Sequence, residues 1–100
     1  METVDKNTVL FTQLVVMLHT AAMQHMGKLK NPATDTVERN LDAAQTMIDL
    51  LDMIRHRTRG NLSDDEAKLV DQMLRELRLN YVDEAGKSGT PPGQGEEKPS

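Results

Sequence analysis

One hundred residues, a net charge of −4, 28% charged side chains and a single Phe and Tyr leave room for one small domain. With no Cys, disulfides and thiolate chemistry are excluded. The 10 basic against 12 acidic residues of 1–82, and 2 against 4 in 83–100, lack the basic excess of a nucleic-acid binder. The acidic start, Met-Glu-Thr-Val-Asp, is unlike a secretory signal, so a cytoplasmic location is expected.

Residues 1–7 read as a flexible lead. From Asn7 to Gly27 no Asp, Glu, Lys or Arg occurs. Wound at 100° per residue, this stretch places Leu10, Phe11, Leu14, Val15, Leu18, Ala21, Ala22 and Met26 on one broad face. Val9, Val16 and Met23 fall on the other side, and Gln13, Thr20 and Gln24 form a narrow uncharged strip. A helix over about 8–27 is predicted, capped by Asn7 or Thr8 and ended by Gly27. A helix apolar nearly all round is central in its domain or buried against another chain. A membrane span is disfavoured, because two Gln, two His and three Thr would have to be hidden from lipid.

The next twelve residues, with Asn31-Pro32 and Thr34-Asp35-Thr36, form a long connection rich in turn formers. Asn40 is placed to cap a second helix over about 41–59, closed by Gly60. Leu41, Ala43, Ala44, Met47, Ile48, Leu50, Leu51 and Ile54 make its apolar half, opposite Asp42, Gln45, Asp49, Asp52 and His56. The short link Gly60-Asn61-Leu62 predicts an antiparallel return. Ser63 and Glu66 read as a capping box, with Leu62 and Ala67 as its staple. The third helix, about 64–82, carries Ala67, Val70, Met73, Leu74, Leu77 and Tyr81 on one stripe. Asp64 and Asp71 stand four residues before Lys68 and Arg75, a spacing worth roughly 0.2–0.5 kcal/mol each. Residues 83–100, acidic and rich in Gly and Pro, read as a disordered tail.

Asp49, Asp52 and His56 share a helix face that could contribute to a metal site, but that face is also the one amphipathicity assigns to water. His19 and His25 interrupt the apolar helix about 120° apart, too far round for one metal to use both from a single chain. Hydrogen-bonded interfacial histidines account for them, with a pH-sensitive interface as the functional alternative. Arg55, Arg57 and Arg59 complement the negative end of the second helix, and no aromatic platform accompanies them for nucleic acid. Nothing connects a Ser, a His and an acid into a catalytic group, and the seven Met fit core filling better than a binding groove.

Phe11-x-x-Leu14-Val15, Ala22-Met23, Gly27, Asn31-Pro32-x-Thr34, Leu41, Ala44, Ile48-Asp49-Leu50-Leu51, Thr58-x-Gly60-Asn61-Leu62-Ser63-x-x-Glu66 and Leu77-Arg78-x-x-Tyr81-Val82 together resemble the small bacterial family known as domain of unknown function 1844. The likeness covers Phe11 to Val82, and Thr-x-Gly-Asn-Leu is its most specific part. Asn40 stands where the family pattern has an acid and Ser63 where it has Thr, and both substitutes can still cap a helix. The resemblance implies an intact bacterial domain and supplies no activity or catalytic residue.

The expectation is an all-α domain over residues 8–82, with the last two helices an antiparallel hairpin and the first packed across them. Its expected function is non-enzymatic, as a protein–protein interaction or self-association module with interface candidates Val9, Val16, His19, Met23 and His25. No cofactor, metal, nucleic acid or membrane enters this reading; the partner is a second copy or another protein. The alternative is a small-molecule or metal-binding protein with a pocket near His19 and His25.

Overall fold

The computed structural model describes residues 5–88. It contains three helices, α1 (Lys6–Met26), α2 (Leu41–Arg57) and α3 (Asp64–Ser88). Their directions follow from side-chain ties. Asn40 N–H donates to the His25 carbonyl at 2.6 Å, so the start of α2 sits at the end of α1 and the two are antiparallel. Between α2 and α3, Arg55 pairs with Asp71 at 2.9 Å and Asp52 with Arg78 at 3.2 Å. Advancing along one helix means retreating along the other, as the short link requires. His19 pairs with Glu76 and Lys28 with Asp83, so α1 runs alongside α3 in the same direction rather than across the hairpin.

The helix ends show which local signals operate. Asp5 occupies the N-cap of α1 with no capping hydrogen bond from its side chain. The expected caps, Asn7 and Thr8, lie inside the helix. Gly27 ends α1 at φ 86°, a left-handed conformation that costs a side-chain-bearing residue about 1–2 kcal/mol. Asn40 caps α2 through its Oδ1, which accepts from Ala43 N–H at 3.0 Å. That helix ends at Arg57, two residues short of the expected Arg59, with Thr58 as its C-cap. The Thr58 hydroxyl folds back onto the Ile54 carbonyl at 2.8 Å. At the start of α3 the capping box is complete: Ser63 N–H donates to Glu66 Oε1 at 2.8 Å, and Glu66 N–H to Ser63 Oγ at 3.1 Å. Asp71, expected to pair with Arg75 along its own helix, lies across from Arg55.

Residues 28–40 are folded rather than a bare crossover. Asn31 N–H bonds the Thr36 carbonyl at 2.8 Å, and Asn31 Oδ1 accepts from Ala33 N–H at 2.9 Å, an Asx turn. Asp35 takes the left-handed conformation there, at φ 57°, which Asp tolerates better than most residues.

Each helix gives three residues to the core: Val15, Ala22 and Met26; Ala44, Ile48 and Leu51; Val70, Leu74 and Leu77. Phe11, Leu18, Met23, Met47, Met73 and Tyr81 pack around them. Two departures from the wheel matter. Leu10 and Leu14, expected inside, are exposed, and Leu50 lies at the edge of the apolar half of α2. The third helix also outruns its expected end. Residues 83–88, expected to begin a disordered tail, continue α3 and carry the buried Glu84. The expected disorder of 89–100, and of 1–4 within the lead, lies outside the described residues.

Candidate functional site

Two arrangements stand out from the packed core. The first is the outward arc of α1. Its α3 side is marked by His19, and its inner side by Val15, Ala22 and Met26. What remains faces away from both neighbours. On it Val9 is 42% exposed, Leu10 50%, Leu14 41%, Val16 42% and Met17 67%. Single exposed apolar residues are ordinary, but here Leu10, Leu14 and Met17 stand together on one side of the uncharged polar strip and Val9 and Val16 on its other side, five large exposed residues on one helix. Between them stand Gln13 and Thr20, polar and uncharged, so the arc offers hydrogen bonds without ionic desolvation.

The predicted interface residues divide. Val9 and Val16 lie on this arc. Met23 does not, because it is half-buried and packs against the core. Nor does His19, whose ring lies 3.2 Å from Glu76 on the α3 side. His25 is half-buried near the start of α2, where its carbonyl accepts from Asn40. The two histidines therefore attend different neighbours and are not brought to one pocket. The wheel does not single out Leu10, Leu14 and Met17 as outward residues, although the sequence holds a signal for them. Leu10, Leu14, Met17 and Ala21 follow the four-three-four spacing of a coiled-coil seam.

The second arrangement is a charged clamp at the end of α3. Glu84 is buried, and its carboxylate meets Lys28 at 3.0 Å, Arg39 at 3.3 Å and Lys87 at 3.2 Å. Arg39 also donates to the Glu84 carbonyl. Burial alone would raise the Glu84 pKa, but hydrogen bonds and charge from Lys28 and Lys87 outweigh it and hold it below the usual range. Asp83 is lowered first by its hydrogen bond from Lys28, and the same contacts with Asp83 and Glu84 raise Lys28. The clamp fastens both ends of the 28–40 connection to α3. A sequence signal for it exists, since Glu84 extends the Leu74, Leu77, Tyr81 stripe by three.

The other candidates resolve into surface pairs. Asp52 bridges Arg78 and His56, Asp49 accepts from Gln45, and Arg55 is held by Asp71. Among the described residues no three His, Asp or Glu side chains group as metal ligands would. None of the described helices is long and apolar enough to cross a membrane.

Fold and surface together define a three-helix domain, all-α over its described residues, that leaves one uncharged apolar helix face uncovered. The chain belongs to the family described as Domain of unknown function (DUF1844), which matches residues 8–83. Asn40 and Ser63 each cap a helix. No curated protein and no solved structure matches the chain.

Proposed function

We propose that the domain is a non-enzymatic protein–protein interaction module of the cytoplasm, and that it meets its partner through the outward arc of α1. The observation that carries this is the run of exposed Val9, Leu10, Leu14, Val16 and Met17 on a helix without charge from Asn7 onward, in a chain that is 28% charged overall. Exposed apolar area of this kind costs solubility, and covering it recovers about 25 cal/mol per Å² removed from water. Elsewhere the described surface carries ion pairs satisfied within the chain, such as Arg55 with Asp71 and Arg78 with Asp52. Its other exposed apolar residues have charged sequence neighbours: Leu29 lies between Lys28 and Lys30, Val37 precedes Glu38, Leu79 follows Arg78 and Val82 precedes Asp83.

In-cell photocrosslinking tests the reading. A photoreactive residue at position 17 is expected to form adducts with a polypeptide, and one at the exposed position 75 on α3 is not. Equal yields from the two positions, or none from position 17, would refute it.

A further inference from the structure

Resting on that reading, we infer that the occupant of the α1 face is a second copy of this chain, its α1 lying antiparallel to the first across a two-fold axis.

The seam supplies the first argument. Leu10, Leu14, Met17 and Ala21 are spaced four, three and four apart, a pattern that reads the same in both directions. Reversed about the midpoint between Leu14 and Met17, it sets Leu10 against Ala21 of the other copy and Leu14 against Met17. Large residues meet small ones at the ends and fill the centre, as two-fold helix pairing requires.

Charge supplies the second. Two copies each of net charge −4 repel at most orientations, but α1 carries no charged side chain from Asn7 to Gly27 and can approach itself without a like-charge pair. Antiparallel pairing also sets opposite helix dipoles side by side. A parallel pair would stack like ends.

Area supplies the third. A helix about 30 Å long and about 10 Å wide offers a flat footprint of only about 300 Å², against the roughly 800 Å² per partner of a standard stable interface. The neighbouring helix must add to it, and it does. Counting ten residues along α2 from Asn40, and ten back along α1 from its bonding partner His25, places Leu50 level with Val15. Leu50, and Met53 one turn on, are exposed. The proposed contact surface centres on the α1 seam and extends onto these exposed α2 residues.

Because the chain has no Cys, introduced thiols report the arrangement without background. Leu10→Cys and Ala21→Cys chains are oxidised separately and mixed, with light scattering of the full chain taken up to millimolar concentration. The expected mass is twice 11.2 kDa, and Met17→Glu, with helicity retained, is expected to return it to one chain. The mixture should cross-link roughly a hundredfold faster than free collision at ~10 µM, since paired sites hold thiols at millimolar effective concentration. Either variant alone should not, because like positions then lie about 16 Å apart along the axis. Efficient cross-linking of Leu10→Cys alone would overturn the antiparallel arrangement. A single-chain mass at all concentrations would overturn self-association. If position 17 then still gave adducts with a different polypeptide in cells, the interaction reading would stand without this occupant; if it gave none, both would fall.

Discussion

Leu50 and Leu51 are neighbours in sequence and opposites in environment, so truncating each in turn tests the packing directly. Leu51 is 0% exposed and Leu50 is 36% exposed. Leu→Ala removes three carbons, worth about 2.4 kcal/mol at about 0.8 kcal/mol per buried CH₂. At Leu51 the hole is enclosed by the core residues of all three helices, and the cavity contribution raises the expected loss to about 3–4 kcal/mol. At Leu50 about a third of the side chain already touches water and no closed cavity forms, so the loss should be near 1–1.5 kcal/mol. A domain of this size has a total stability of roughly 4–12 kcal/mol, so Leu51→Ala should remove a quarter or more of it and lower the urea midpoint in proportion. The assay is urea unfolding followed by far-ultraviolet circular dichroism at one protein concentration, because self-association would make stability concentration-dependent. Equal losses for the two variants, or a loss below about 1 kcal/mol at Leu51, would refute the assignment of core and edge on α2.

Two further outcomes follow from the helix ends and the clamp. Ser63→Ala removes the hydroxyl that accepts from Glu66 N–H and should cost about 0.5–2 kcal/mol, read as a lower urea midpoint with an unchanged slope. Acid should also destabilise the fold. Glu66 is held low chiefly by the Ser63 N–H, Asp71 by Arg55, Asp83 by Lys28, and Glu84 by Lys28 and Lys87 against the opposing effect of burial. A carboxylate whose folded pKa is depressed adds stability that is present above its unfolded value, about 4, and lost as pH falls through the folded one. Lys28, raised by the same contacts, adds stability that is present below about 10.4 and lost as pH rises through its folded pKa. Urea midpoints should therefore fall below about pH 4.5, and Glu84→Gln should flatten that fall; a midpoint constant from neutral pH to pH 3 would show that these pairs do not hold the fold.

How legible each helix is in the sequence depends on how one-sided it is. In α2, apolar and charged residues divide the wheel, so the pattern alone puts Ala44, Ile48 and Leu51 inside, where they lie. The Ser63 and Glu66 box is equally plain, because its chemistry is confined to four residues. Glu84 is hidden by composition: it follows a long stripe on α3 but precedes Gly, Pro and charge, and the disorder expected of that stretch extends back over it. Its ordering comes from Lys28 and Arg39, more than forty residues away in sequence.

The first helix shows the limit most clearly. When nearly every direction on a wheel is apolar, the wheel cannot say which arc meets the neighbours, because burial on any arc would lower the free energy by a similar amount. The choice is made by the few polar atoms that need partners. His19 to Glu76 marks the α3 side, and the His25 carbonyl to Asn40 marks where α2 begins. Once those ties are made, Leu10, Leu14 and Met17 are left outside although they are as apolar as the residues within. The polar contacts of α1 thus help to orient the helix, and by exclusion they leave this face at the surface.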